Sequence, residues 1–177
     1  MATIKETVMQ AMRTYLKAHC GTVLTNEQVI PINDVGPRPA LPYLVVDVGV
    51  NVKVGSDEIW DTVVLGATYQ TAKSQREVTV TVHGYGFDSE DWIETAAVGH
   101  NLPTQQKAFR DLDLTARPNG DILDLSAMLD SSIEYHFTQD WIIDIAWTSA
   151  SQEQTEVLTF ETEATAGDLA VDITTNP

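Results

Sequence analysis

The sequence predicts an α+β fold: a mixed or mainly antiparallel sheet flanked by two or three helices, with an extended acidic C-terminal arm. Three observations support this. Amphipathic helical patterns occur near the start and middle of the chain. Valine-rich segments in which apolar and polar residues alternate lie between these patterns. Residues 151–177 are acidic and contain no Lys or Arg. We expect one α+β domain over residues 1–150 and a distinct arm over residues 151–177.

The first predicted helix covers about residues 3–20. Thr3 is the expected N-cap, and Glu6 stands three residues later, where it completes a capping box. Gly21 is the expected stop signal after the helix. Apolar side chains recur at helical spacing and form one stripe that we expect to cover other structure: Ile4, Val8, Ala11, Met12 and Tyr15.

Alternation of apolar and polar residues predicts the central strands. Gly55-Ser56-Asp57 is interpreted as a turn, with a second strand over residues 58–69 and a third over residues 77–85. Short connections between consecutive strands favour an antiparallel meander with one buried face, covered by the helices. The first strand, which begins at Tyr43, places six apolar side chains on that face: Leu44, Val46, Val48, Val50, Val52 and Val54.

The second half of the chain predicts a helix, a small hairpin and a long strand. Asp88 or Ser89 caps the helix, which continues with a break past a proline. Two β segments over residues 111–116 and 122–125 are expected to form the hairpin. The long strand covers residues 133–148 and alternates apolar side chains on both faces.

The acidic arm is not purely polar, because alternating apolar residues punctuate it. Disordered tails contain fewer apolar side chains. We therefore expect the arm to add a strand to a sheet, with a neighbouring chain as one candidate.

The net charge of the chain limits the partners that the protein can bind tightly. Ten Lys and Arg against 26 Asp and Glu give a net charge of −16, which opposes tight binding to phosphate backbones. This charge is consistent with simple solubility and also with a surface that nucleic acid passes without sticking.

The single cysteine, Cys20, is interpreted as a packed small hydrophobe, with a reactive thiol as the alternative. Without a secretory segment or long apolar run, we expect a soluble chain, made in a reducing cytoplasm, that does not bind membranes.

Signatures of catalysis are missing, so we expect no enzyme activity, no cofactor and no metal. The sequence contains no nucleophile elbow, no phosphate-binding loop and no zinc-binding His-Glu-x-x-His. Gly84-Tyr85-Gly86 is too short for a dinucleotide fingerprint and fits a strand that ends before a helix. The four histidines are scattered, and the paired carboxylates match no calcium loop.

A proline-rich segment is the main candidate for an interface. Pro37, Pro39 and Pro42 fix the backbone that leads into Tyr43, and a pre-ordered segment loses little entropy on binding. Arg38 could pair with a carboxylate of a neighbouring subunit or with one of its own chain.

Trp60 is a second interface candidate. It stands beside charged Asp57, Glu58 and Asp61, which makes it harder to bury than a tryptophan on an apolar strand face. It could anchor an interface, and packing within its own chain is the alternative.

Several segments carry a resemblance. Residues 3–8 open a helix, and residues 36–43, Gly-Pro-Arg-Pro-Ala-Leu-Pro-Tyr, lead into a strand. Residues 76–86 form a strand before an acidic-capped helix, and residues 123–130 precede the long strand. Over residues 3–150, this order resembles the neck or tail-terminator proteins of tailed bacteriophages.

The resemblance implies a small α+β structural protein of the virion, assembled in the host cytoplasm. Family members form a ring, usually a hexamer, that caps the tail tube and joins it to the head-side connector. Expected partners are copies of the chain itself, the tail tube, a sheath protein and the head-proximal connector or adaptor. DNA would cross the ring during genome ejection without specific binding. The arginine that the family often has before the last strand is replaced here around Tyr135-His136-Phe137.

Two other hypotheses stay open. A different head–tail adaptor or tail-completion protein of the same virion would share the fold class. A small metal-dependent hydrolase would instead need a histidine or nucleophile that converges with carboxylates in a pocket.

Overall fold

The computed structural model describes residues 3–64, 67–129, 132–148 and 152–153. The chain divides into two compact units. The first consists of Met1–Asp57 with Lys73–Thr148, and the second of Glu58–Ala72 with Ser149–Pro177. The boundary predicted at residue 150 between a domain and an arm stays a prediction, because most of the arm lies outside the described residues.

Three helices and eight strands make up the described fold. The helices are α1 (Ile4–His19), α2 (Ser89–Gly99) and α3 (Pro103–Arg110). None of these helices is long and apolar enough to cross a bilayer. The strands are β1 (Val29–Pro31), β2 (Tyr43–Val64), β3 (Ala67–Tyr85), β4 (Leu114–Asp124), β5 (Ala127–Leu129), β6 (Ser132–Glu134), β7 (His136–Thr148) and β8 (Gln152–Glu153).

The main sheet has the order β1-β2-β3-β7-β4, and β8 pairs with β3. Strand β1 runs parallel to β2, whereas β7 is antiparallel to both β3 and β4. Strands β2 and β3 are neighbours in this sheet. Strands β5 and β6 form a separate two-stranded sheet. The predicted α+β class, with a mixed sheet and three helices, is confirmed.

Helix α1 begins as predicted, with a complete capping box. The Thr3 backbone N–H donates to Glu6 Oε2 at 2.8 Å, and the Glu6 N–H donates to Thr3 Oγ1 at 3.2 Å. The hydrogen bond from the Thr3 backbone lowers the pKa of the Glu6 carboxyl. The apolar stripe faces the sheet, with these side chains buried: Val8, Ala11, Met12, Tyr15 and Leu16.

The core lies between the helices and the centre of the sheet. Strands β3 and β7 pair over thirteen residues, which sets Val80 opposite Trp141, and both side chains are fully buried. Tyr15 packs against the Trp141 ring and donates its hydroxyl proton to the Ala96 carbonyl at 2.7 Å. One residue therefore ties α1 to α2 and to the sheet.

The turn predicted at Gly55-Ser56-Asp57 is wrong. Strand β2 continues through these residues to Val64, so one long strand replaces the first predicted strand and part of the second. Gly55 does have a positive φ of 75°. That conformation is accommodated within the strand, where the Lys53 ammonium donates to the Asp57 carboxylate at 2.8 Å.

The small hairpin predicted over residues 111–125 is also wrong. Strand β4 is continuous from Leu114 to Asp124 and pairs with β7, with a register shift between Asn119 and Leu123 that absorbs the turn-forming residues. The long strand predicted over residues 133–148 is interrupted at Tyr135, which separates β6 from β7.

Gly84 allows α2 to pack directly on the end of β3. A Cβ atom at this position would lie 2.7 Å from Ser89 Oγ and 2.9 Å from Ile93 Cδ1. Ser89 is fully buried, and its hydroxyl donates to the Gly86 carbonyl at 2.6 Å. The start of α2 therefore cannot move aside without loss of a buried hydrogen bond.

We predict that Gly84→Ala destabilises the fold by about 1–3 kcal/mol, because the added methyl group overpacks the β3–α2 contact. The free energy of unfolding from urea titration measures the effect. Gly49→Ala is the matched strand control, since its Cβ would lie at an ordinary 3.5 Å from the Thr79 carbonyl. Equal stability of the two variants would contradict the prediction.

The His100 ring is buried in the core. Its Nε2 lies 2.5 Å from the Ala116 carbonyl oxygen, whereas Nδ1 is buried without a partner among the described residues. The carbonyl can only accept, so Nε2 carries the proton of the neutral ring. Burial lowers the pKa of His100, and the Ala116 carbonyl opposes that shift.

We predict that His100 makes the protein less stable as the pH falls below about 6.5, the ordinary pKa of histidine. There the unfolded chain binds a proton that the folded His100 resists, with a slope of up to about 1.4 kcal/mol per pH unit. His100→Gln should flatten the dependence of the unfolding free energy on pH between 7 and 5. Phe109→Leu, which alters a neighbouring buried ring, should destabilise the fold without changing that slope. A parallel pH profile for His100→Gln and the wild type would contradict this assignment.

Candidate functional site

The proline-rich loop connects β1 to β2 and is largely exposed. Pro37 and Arg38 are exposed, and Pro39 is half-buried. At the start of the loop, Asp34 Oδ1 accepts a hydrogen bond of 3.0 Å from the Gly36 N–H. The loop is thus ordered by proline geometry and by local hydrogen bonding, as the sequence predicts.

Pro42 fastens the end of this loop to the turn after β3. It is half-buried and follows a cis peptide bond. Gly86, with a φ of +95°, approaches so closely that a Cβ there would lie 3.1 Å from Pro42 Cα. Both glycines of the Gly84-Tyr85-Gly86 segment therefore serve close packing, the first against α2 and the second against the loop.

Tyr43 is buried and belongs to a stack of rings. Its ring lies on Tyr85 with centroids 5.0 Å apart, and Tyr85 lies on His136 with centroids 4.5 Å apart. The β3–β7 register sets Tyr85 directly opposite His136. The buried Tyr43 ring therefore anchors the end of the proline-rich loop. Burial raises the pKa of the Tyr43 hydroxyl.

A pair of histidines ends this stack, and the sequence reading did not detect it. His83 Nδ1 lies 3.3 Å from His136 Nε2, although 53 positions separate the residues in the chain. Burial lowers the pKa of His83, and the neighbouring His136 lowers it further, while Asp47 and Asp140 oppose the shift. Spacing along the sequence gives no signal for this pair, because the pair depends on the antiparallel register of β3 and β7.

Arg38 faces a carboxylate of its own chain across the loop. Its Nη1 lies 4.0 Å from Glu134 Oε1, and the Arg38 side chain is 79% exposed. An exposed pair at that distance contributes little stability. The guanidinium therefore keeps most of its donors available to a second carboxylate.

Exposed apolar side chains border the same loop. Leu41 is 64% exposed, and Phe87, in the turn before α2, is 71% exposed. Phe87 packs edge-on against Tyr135, with ring centroids 5.3 Å apart. Together with Arg38 they form what we call the loop surface: Arg38, Leu41, Phe87 and Glu134.

Trp60 belongs to the second unit. It is 38% exposed and lies on β2 near Ile59 and Val63, which are 60% and 69% exposed. Within this unit, Asp61 accepts a hydrogen bond of 3.2 Å from Gln70. Half-exposed Trp60 is compatible with the predicted anchor role, which stays a prediction, as do the interface roles of Pro37, Arg38, Pro39, Pro42 and Tyr43.

The apolar side chains on one face of β2 continue beyond the part of the strand that is buried in the core. Leu44, Val46 and Val48 on its inner face are buried, as predicted. The same alternation continues into Val50, Val52 and Val54, which are 63%, 50% and 45% exposed. The expectation that helices cover this whole face is therefore wrong for its second half. We call these three residues the valine row.

A second apolar surface lies on the helices of the first unit. A groove of about 710 Å³ between α1 and α3 is lined mainly by carbon atoms, with Met9, Ala11, Ala108 and Leu112 among its walls. Its remaining lining comes from one side of α1: Glu6, Thr7, Gln10 and Thr14. We call it the α1–α3 groove.

Metal binding and thiol chemistry find little support in the described residues. Within them, no group of three or more His, Cys, Asp or Glu side chains could hold a metal ion. Cys20 is buried, and burial raises the pKa of its thiol to about 12, which makes it a poor nucleophile.

The sequence matches the family described as phage neck terminator protein over residues 6–168, more than nine-tenths of the chain. No curated protein matches the sequence. The family consists of structural proteins of the bacteriophage tail and neck, which associate with other head and tail proteins. The protein therefore belongs to the phage neck terminator family.

Proposed function

We propose that the protein forms a ring, hexameric as in relatives it resembles, that ends the tail tube and joins it to the head-proximal neck. The observation that carries the proposal is the valine row on β2 in a member of this family. Three aligned valines exposed on a strand are costly in water, and burial against another protein removes that cost. Ring formation by copies of the chain provides such burial.

We further propose that DNA crosses the ring during ejection without specific binding. The net charge of −16 repels phosphates. Several of the ten cations are also engaged by carboxylates of their own chain. Arg117 contacts both Glu77 and Asp144, at 3.2 and 3.1 Å, and Lys107 contacts Asp111 at 2.6 Å. Paired cations have less to gain from phosphate contacts, which supports passage without retention.

The proposed partners follow from the position at a tube end. One face of the ring would contact the tail tube, and a sheath protein where the tail is contractile. The opposite face would contact the head-proximal connector or adaptor. The loop surface is suited to such a contact, because it combines the exposed apolar side chains of Leu41 and Phe87 with an incompletely paired arginine. The role is non-catalytic and belongs to the virion neck, after assembly in the host cytoplasm.

We predict that the purified protein forms hexamers alone or at the ends of tail tubes. Native mass spectrometry measures the stoichiometry, and electron microscopy of tubes locates the rings. Tube sides serve as the internal control, because a terminator should occupy ends only. A protein that stays monomeric at micromolar concentration and ignores tubes would argue strongly against the proposal. Binding to isolated connectors without affinity for tubes would instead support a head–tail adaptor.

The arm over residues 151–177 is proposed to strengthen assembly by adding a strand to a neighbouring subunit. Its described part, Gln152–Glu153, already pairs as an antiparallel strand with Tyr69 and Gln70 of β3. Strand addition therefore suits the start of the arm, and the following residues are acidic with alternating apolar positions.

We predict that deletion of residues 151–177 weakens assembly while the thermal unfolding of the monomer changes by only a few degrees. Native mass spectrometry and calorimetry of the same samples separate the two effects. A large drop in monomer melting temperature with unchanged assembly would show that the arm packs on its own chain.

A further inference from the structure

We propose that the valine row of one copy docks into the α1–α3 groove of the next copy. This inference rests on the proposed self-assembly and names the surfaces that form it. Both surfaces belong to the first unit, both are apolar, and both are exposed in the single chain. The occupant of the groove is therefore a second copy of this chain.

The two surfaces match in length. Val50 and Val54 are four residues apart on a strand, which corresponds to about 13 Å. The groove follows α1 from Glu6 to Thr14, nine residues of helix that span about 12 Å. A strand laid along α1 would thus place all three valines within the groove.

The two surfaces also match in chemistry. The valines offer short, branched side chains without polar atoms. The groove offers the flexible Met9 side chain and Leu112, which is 48% exposed, beside small alanines at positions 11 and 108. Small residues leave room for a neighbouring strand, and methionine adapts to fill gaps.

Charge supports this pairing in a chain that otherwise repels its own copies. Helices α1 and α3 hold five of the ten Lys and Arg residues and one acidic residue, Glu6, for a net charge of +4. Even with Asp111, which caps α3, the net charge is +3. The part of β2 in the first unit carries Asp47 and Asp57 against Lys53, a net charge of −1. Helices α1 and α3 are thus cationic in an otherwise acidic chain, and they attract the acidic strand of a neighbouring copy.

Because the row and the groove are different surfaces, the contact is heterologous. Each copy uses its row on one neighbour and its groove on the other. Such contacts repeat head to tail and produce a ring when the rotation closes. An interface in which the same surface met itself would stop at a dimer.

Cysteine cross-linking tests the contact. Val52→Cys and Gln10→Cys are combined in one full-length chain, since Gln10 is exposed on the groove wall. Native Cys20 is 2% exposed with a raised pKa, so it does not compete. After mild oxidation of assembled protein, we expect a ladder of covalent species up to the ring size on a non-reducing gel. Each single variant should stay below one-tenth of that cross-linking.

The matched control moves one cysteine away from the groove. Val98 on α2 is 64% exposed, so Val52→Cys with Val98→Cys should give no ladder. Ala108→Cys replaces Gln10→Cys as a second groove position, which guards against one unfavourable geometry. Rings that form normally without a ladder from either groove position would overturn the docking and leave the proposed function standing. Absence of rings in the wild type would count against the proposed function itself.

A second readout does not depend on cross-linking. Val52→Glu places a charge within the apolar contact and should weaken assembly at least tenfold, whereas Val98→Glu should leave it within twofold. Alkylation of Gln10→Cys should be slow in rings and fast in the Val52→Glu background. If deletion of residues 151–177, and not Val52→Glu, exposes this cysteine, then the acidic arm occupies the groove and the inference is overturned.

Discussion

The helices of the first unit cover only part of the strands beneath them, and much of the chemistry of the surface follows from this mismatch. Helix α1 has 16 residues, about 24 Å, whereas β2 from Tyr43 to Asp57 alone extends roughly 50 Å. The cover ends near Val48, the last buried residue of the apolar face. The three valines beyond that point are exposed in the single chain. In the proposed ring, a neighbouring subunit would cover them.

The sequence predicts well those features that depend on neighbours along the chain. The capping box of Thr3 and Glu6 involves residues three positions apart, and the structure reproduces it. The alternating valines correctly identify β2, since a period of two is a local property. The α+β class follows because such local elements limit the possible layers.

Features that depend on pairing between distant segments were not predictable in this way. Gly55 has the positive φ of a turn residue, yet β2 continues because β3 lies beside it. Strand β4 likewise passes through Asn119 and Gly120, since β7 provides a partner for the residues on both sides. A turn signal ends a strand only where no neighbouring strand continues to pair with it.

The candidate site shows the same division. The sequence indicates a stiff loop around Arg38, but not that Glu134 lies across from it, because β6 comes almost a hundred residues later. The stack that includes His83 and His136 also depends on the β3–β7 register. Proline geometry is local, whereas the partners of the loop are set by the sheet.

Acidity and the proposed self-association make opposite demands on this chain. Copies with a charge of −16 repel each other, and the same charge opposes binding to the phosphates of nucleic acid. Uniformly spread charge could not satisfy both demands, because any contact would bring carboxylates together. The uneven distribution resolves the conflict: cations are concentrated on α1 and α3, beside an apolar groove, and elsewhere Arg117 and Lys53 are paired within the chain. Among the described residues, α1 and α3 thus form a cationic surface that suits the proposed contact with an acidic strand. In the proposed ring, a passing polyanion would meet mainly carboxylates, whereas the acidic strand of a neighbouring subunit would be favoured beside these helices.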